Sequence, residues 1–239
     1  MLSGKNIGVV IPAAGSGTRM GGNRSKQYLA LEGIPVYLHS VIVCQRSGII
    51  DSIVLVARKK DIPKIERDLK FHACSKVVGI VPGGKERQDS VWNGLKEIRK
   101  YGADVVLVHD AVRPFITGTM IRAITNAAIR HGGAIVAVCS KDTLKMSDKK
   151  GSVSLTLPRE RLWSVQTPQA FQINILSDAF KKAKKAGFLG TDDASLVERI
   201  GKKIKIVKGS YENIKITTPE DLEFAKLIAR RSKYKHRVS

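Results

Sequence analysis

The feature that most constrains the fold is an alternation. Residues 7–11, 52–57, 77–81, 105–108 and 134–138 are short, nearly continuous apolar runs rich in Val and Ile. Such runs are typical of strands buried on both faces of a parallel sheet. Longer amphipathic stretches lie between them. Residues 35–47 end at Gly48. Residues 86–100 carry Val91, Leu95 and Ile98 at helical spacing. Thr117 is placed to cap a helix over 118–131, which stops at Gly132-Gly133. A β-α-β-α order of this kind predicts an α/β fold: a doubly wound, mostly parallel, Rossmann-like sheet with helices on both faces.

The rhythm breaks over residues 140–161. That segment is polar, and Asp148-Lys149-Lys150-Gly151 reads as a turn between two short alternating pieces, so a protruding β-hairpin arm is expected there. Helical patterns resume over 173–186 and 192–200, the second with Thr191 as its expected N-cap. Short strands are expected over 203–207 and 213–217. Thr218-Pro219-Glu220-Asp221 is a helix start: a cap, Pro at the first position, and acids in the first turn. The economical division is one domain over residues 1–229, including the arm at about 140–161, and a basic C-terminal tail over 230–239.

Lys and Arg number 42 against 21 Asp and Glu, a formal net charge of +21. That balance favours anionic partners. Nucleic acid is disfavoured, because the charge is dispersed, aromatics are only 5%, and no RNA-binding motif occurs. Cys44, Cys74 and Cys139 are widely spaced, with no CxxC pair or Cys/His cluster. They read as buried, reduced thiols of a cytoplasmic protein rather than a zinc or disulfide framework. No apolar run is long enough to span a membrane, and the first residues lack the apolar core of a signal peptide.

The first strand runs into Pro12-Ala13-Ala14-Gly15-Ser16-Gly17-Thr18-Arg19. Ligands of open α/β sheets bind beyond the carboxyl ends of strands, and small residues let backbone N–H groups approach phosphate oxygens. Arg19 and Lys26 add a fork and a point charge, a suitable pair for a triphosphate. Neither familiar glycine motif applies. No GxxxxGK(S/T) string occurs, and the third glycine of a dinucleotide fingerprint stands one place late. The third strand ends in Gly83-Gly84, whose amides, with Ser90, are placed to read the edge of a base. The fourth ends in His109-Asp110-Ala111-Val112-Arg113. Asp110 is the expected contact for Mg²⁺, directly or through water. Arg113 is expected to pair with a phosphate or with Asp110, and His109 to be a packing or turn residue.

The strings PAAGSGTRMG, SKQYL, PGGKERQDSV, VHDAVRP, DTLK, TPQAF, TDDAS and ENIKITTPEDL stand in the order found in the 2-C-methyl-D-erythritol 4-phosphate cytidylyltransferase family. The resemblance covers residues 7 to 227. It implies transfer of CMP from CTP to a small polyol phosphate, with Mg²⁺ as cofactor. Ala13, Ala14, Gly15, Gly17, Gly84 and Ser90 would hold CTP. Arg19 and Lys26 would stabilise the transition state. Arg159 and Lys215 would position the attacking phosphate. Asp110, Arg113, Thr143, Thr167 and Thr191 would complete the polyol-phosphate site. The resemblance also implies a homodimer formed through the arm, with Thr143 and Arg159 serving the neighbouring subunit. Three departures stand out: Lys85 where the family often has a small or acidic residue, Ser25 where Pro is usual, and the basic tail after Leu227, which has no counterpart in the family pattern. The alternative is the same chemistry on another alditol phosphate, such as ribitol 5-phosphate; a nucleic-acid-binding protein is a remote second.

Overall fold

The computed structural model describes residues 4–15 and 26–231. Arg19, Gly17 and Ser25, and the tail from residue 232 onward, lie outside the described residues. In chain order the elements are β1 (Ile7–Pro12), β2 (Ala30–Leu31), β3 (Ile34–Pro35), α1 (Val36–Arg46), β4 (Ser52–Ala57), α2 (Ile62–Phe71), β5 (Val77–Pro82), α3 (Arg87–Arg99), β6 (Val105–Val108), α4 (Gly118–His131), β7 (Gly133–Cys139), β8 (Lys145–Ser147), β9 (Val153–Thr156), β10 (Trp163–Gln172), α5 (Ile173–Lys185), α6 (Asp193–Arg199), β11 (Lys205–Lys208) and α7 (Pro219–Arg230).

The main sheet has the order β11-β7-β10-β6-β1-β4-β5. β1 pairs in parallel with β4 and β6, β4 with β5, and β7 with β11. Only β10 runs against its neighbours β6 and β7. Period-two geometry sends successive side chains to opposite faces. Ile53, Leu55 and Ala57 therefore join one core with α1, α2 and α4, while Val54 and Val56 join another with α3, α5 and α6. Both faces are covered, so the expected doubly wound, mostly parallel sheet is the observed one.

Local signals acted as their chemistry dictates. Thr117 Oγ1 accepts the Met120 N–H at 3.2 Å, and Gly132 ends α4 with φ of 85°. Thr218 and Asp221 form a reciprocal capping box behind Pro219 at the start of α7. The arm is a hairpin in which Met146 faces Leu155. Asp148 Oδ1 accepts the N–H groups of Lys150 and Ser152, which closes its turn.

Three expectations need correction, and two elements appear for which none was stated. α6 is capped by Asp192, not Thr191: one oxygen of the Asp192 carboxylate accepts the Ser195 N–H at 2.9 Å while the other accepts the Gln169 amide at 2.7 Å, so the cap is also tied to β10. Residues 213–217 form no strand. The Asn213 side chain bonds Gln166 and Thr167, and Ile216 N–H reaches Val112 O, so this backbone is held singly rather than in a ladder. Cys44 and Cys74 are buried but Cys139 is exposed, because it ends β7 beyond the core. β10 and α2 were not anticipated. β10 carries Gln166-Thr167-Pro168-Gln169, which does not read as a central strand, and a register shift between Val165 and Gln169 accommodates the proline. The signal for α2 was present in Pro63 near its start and in buried Ile65 and Leu69 one turn apart.

Candidate active site

The carboxyl ends of β1, β5 and β6 open onto a cleft of about 360 Å³. Ala13, Ala14 and Gly15 form one wall, and Gly84, Lys85 and Ser90 another. The two walls meet because Gly83 lacks a side chain: a Cβ there would run into the Cβ of Ala14. Ser90 Oγ accepts the Gly84 N–H at 3.0 Å and donates to Glu86 O at 3.1 Å. Its observed work is therefore to shape the second glycine loop. The first turn of α3 also lines the cleft, which brings the positive end of that helix dipole to it.

Asp110 closes the far side. Its carboxylate meets Lys215 Nζ at 2.8 Å, Arg87 Nη2 at 3.3 Å and Arg113 Nε at 4.0 Å. Burial alone would raise its pKa, but the charges of Arg87, Lys215 and Arg113 outweigh that and hold it well below the ordinary carboxylate range. Arg87 also binds buried Asp193 at 2.9 Å. Three cations thus stand against two carboxylates, an excess of positive charge suited to an anionic ligand.

Arg87 and Asp193 are the residues that sequence reasoning missed. Both sit inside recognised strings, PGGKERQDSV and TDDAS, but their pairing spans 106 positions and has no local signature. The remaining expected residues divide. Lys26 and Lys215 line the cleft with the glycine loops. Thr167 lies just behind it, its hydroxyl accepting the Asp110 N–H at 3.0 Å. Arg113 donates to Asn213 O at 2.8 Å. Thr191 borders a smaller adjoining cavity with Arg87 and Asp193. Thr143 and Arg159 line neither of these cavities within their own chain. Thr143 is exposed on the arm, and Arg159 Nη1 donates to Lys141 O at 3.2 Å.

Asp110 does not fit a divalent cation held by the protein. Both of its oxygens face cations, and the described residues gather no group of three or more His, Cys, Asp or Glu side chains.

His109 is the packing residue expected of it. It is fully buried, with Nε2 near Arg113 O at 3.1 Å and Nδ1 near Thr167 Oγ1 at 3.2 Å. Burial lowers its pKa to about 4 from the ordinary 6.5; the attraction of Asp110 and the hydrogen bond at the Arg113 carbonyl oppose that shift, and the Arg113 charge reinforces it. The unfolded chain therefore binds the proton more readily than the folded one. Stability should fall as pH drops from about 6.5 toward 4, by up to about 3 kcal/mol. Buried His39, its pKa also lowered chiefly by burial, acts in the same direction. Urea unfolding at a series of pH values should show this slope, and His109→Gln should flatten it; an unchanged slope in the variant would refute the assignment.

Lysine and arginine stand here where a hydrolase would carry a nucleophile and its base, and with the strand-end glycine loops they define an α/β nucleotidyltransferase. The similarity to known proteins is narrower. The family model for 2-C-methyl-D-erythritol 4-phosphate cytidylyltransferase (IspD) matches residues 7–231, and the chain belongs to that family. It is 48% identical over 221 residues to the enzyme of that name from Bacillus pumilus, covering 92% of this chain and 95% of the relative. It is 46% identical over 217 residues to that from Syntrophus aciditrophicus, covering 90% and 92%. The crystal structure of 4-diphosphocytidyl-2C-methyl-D-erythritol synthase from Anaerococcus prevotii superposes with a TM-score of 0.86 at 35% identity, covering 96% of this chain and 98% of that one. No helix among the described residues is long and apolar enough to cross a membrane.

Proposed function

We propose that the chain transfers the CMP part of CTP to 2-C-methyl-D-erythritol 4-phosphate and releases pyrophosphate. The observation that carries this reading is that Lys26 and Lys215 share one cleft with Ala13, Ala14, Gly15, Gly84 and Ser90. Groups suited to a triphosphate and groups suited to a second phosphate thus face the same space, and family membership supplies the identity of both substrates.

The reaction is an in-line displacement at the α-phosphate of CTP by an oxygen of the polyol phosphate. A phosphate monoester is already an anion near pH 7, so no strong general base is needed. The obstacle is the approach of two anions, and positioning with charge neutralisation overcomes it. Arg19 and Lys26 stabilise the charge that develops on the transferring and leaving phosphates. Lys215, steadied by Asp110, and Arg159 orient the attacking phosphate. Ala13, Ala14, Gly15, Gly17, Gly84 and Ser90 hold cytidine and its phosphates. Asp110, Arg113, Thr143, Thr167 and Thr191 complete the acceptor site. Divalent cations are general to nucleotidyltransferases. The form of that expectation this donor set accommodates is Mg²⁺ brought on the nucleotide rather than held by Asp110.

The working unit in this reading is a homodimer. Met146, Val153 and Leu155 of the arm are about half or more exposed, at 48%, 64% and 50%. A lone two-stranded hairpin is marginal in water, and a second copy would cover these side chains. The domain limits 1–229, the separate tail 230–239 and a cytoplasmic setting belong to the same reading.

Pyrophosphate release from CTP, offered methylerythritol phosphate and ribitol 5-phosphate side by side, tests the acceptor. Release with the first should dominate; faster release with the second would transfer the function to the ribitol reading. CTP should be turned over well ahead of ATP, GTP and UTP, because a pocket built to pair with the base leaves its polar groups unmatched by the wrong one. Equal turnover of ATP would exclude a cytidylyltransferase.

A further inference from the structure

Lys26 opens a single turn of 3-10 helix, Lys26–Tyr28, and the residue after it is fully enclosed: Gln27 is 1% exposed. A buried carboxamide is costly unless its polar atoms are matched. The Gln27 amide nitrogen donates to Ala13 O at 2.7 Å and to Gly15 O at 3.0 Å. Both partners are carbonyl oxygens, so chemistry alone identifies the nitrogen end of the amide. The fork bridges residues 13 and 15 at the start of the first glycine loop and accepts only those conformations of residues 13–15 in which these two carbonyls point toward it. In a trans peptide the N–H opposes the C=O. Holding Ala13 O therefore also fixes the direction of the Ala14 N–H.

The next residue anchors the turn on its other side. Tyr28 OH donates to Asp61 Oδ2 at 3.0 Å, and the same oxygen takes Arg58 Nε at 2.6 Å, just past the end of β4. The Tyr28 ring also packs edge-on against Tyr37 of α1, with centroids 5.8 Å apart. The turn that carries Lys26 is thus clamped between the β1 loop and the end of β4.

We propose that Gln27 is a positioning residue of the reaction: its carboxamide locks the Lys26 turn to the β1 loop, so the amides that receive the nucleotide phosphates and the lysine that neutralises them stay at one spacing. This rests on the proposed role of Lys26, and it gives that lysine a mechanical support that the cleft-lining residues alone do not provide. A staple that served only stability would lower the melting temperature and leave kcat of the folded enzyme near normal. A positioning residue lowers kcat in the folded enzyme, because a displacement of ~1 Å at a reacting centre costs on the order of 10²-fold.

Gln27→Met keeps the length of the side chain and removes both donors. It should lower kcat about 10-fold or more at saturating substrates, with folded protein confirmed by circular dichroism. Lys26→Ala is measured beside it. In the double variant the two losses should not multiply: once Lys26 is gone, adding Gln27→Met should change kcat by less than about 3-fold. Gln27→Glu supplies an independent arm. Its carboxylate would face two carbonyl oxygens and be repelled, whereas its protonated form keeps one donor. The ratio of its kcat to that of the wild type should therefore fall as pH rises from about 5 to 8. This arm decides the matter if Gln27→Met fails to fold. A near-normal kcat in Gln27→Met beside a depressed Lys26→Ala overturns the proposal and leaves the reading of Lys26 intact. Losses that multiply, or a Gln27→Glu ratio flat with pH, also overturn it. A near-normal kcat in Lys26→Ala overturns the reading of Lys26, and this inference with it.

Discussion

Lys26→Ala and Arg19→Ala are each expected to lower kcat at least ~10²-fold, the scale for losing one electrostatic contact made in the transition state. Lys26 lines the cleft beside the β1 loop, and the turn that bears it is held at Gln27 and Tyr28. Its ammonium is therefore carried on a fixed support into the space proposed for the phosphates. Charge at the transferring and leaving phosphates grows on the way to the transition state, so kcat and kcat/KM should fall together. A rise in KM alone would mean that the lysine binds ground-state nucleotide and does not assist the chemistry. Folding should survive, because Lys26 is only half-buried at a cleft wall. Steady-state kinetics with thermal melts read both quantities, and a kcat near wild type in either variant removes that residue from the catalytic group.

The second large effect is a recovery. Arg159→Ala and Lys215→Ala should each be nearly inactive alone, and mixing them in equal amounts should restore about a quarter of wild-type activity. Lys215 faces its own chain's cleft through Asp110, whereas Arg159 lies at the base of the arm and lines neither cavity of its own chain. If the arm crosses to a partner, Arg159 serves the partner's site. Each mixed dimer then holds one doubly damaged site and one intact site. Random exchange makes about half of the dimers mixed, and half of their sites work. Subunit exchange has to be shown independently, for instance with two labelled copies. Exchange without recovery would place both residues in one chain's site and end the arm-crossing model.

The short Val and Ile runs, the Thr117 and Thr218 caps, the glycine that ends α4 and the arm turn at Asp148 could all be read from the chain. Each depends on residues within about one helical turn or one hairpin of each other, and spacing along the sequence is enough to express that. The glycine loops were readable for the same reason, as was the placement of Asp110 at a strand end. Other decisions belonged to the tertiary structure. β10 is a central strand although Gln166, Thr167 and Pro168 argue locally against it, because its neighbours β6 and β7 supply the ladder and a register shift takes up the proline. Asp192 rather than Thr191 caps α6 because Gln169, from β10, adds a second bond to its carboxylate. The most consequential choice was that of partners for charge. Arg87 joins Asp110 to Asp193, and Lys215 takes the other Asp110 oxygen, across distances in sequence that no local pattern spans. The sequence by itself determined the parallel strands of the main sheet, most of the helices and which residue types reach the strand ends, since periodicity, capping and turn chemistry are local. Only packing decided which cation meets which carboxylate and which buried amide holds which loop, because those energies exist only once distant segments share one low-dielectric space.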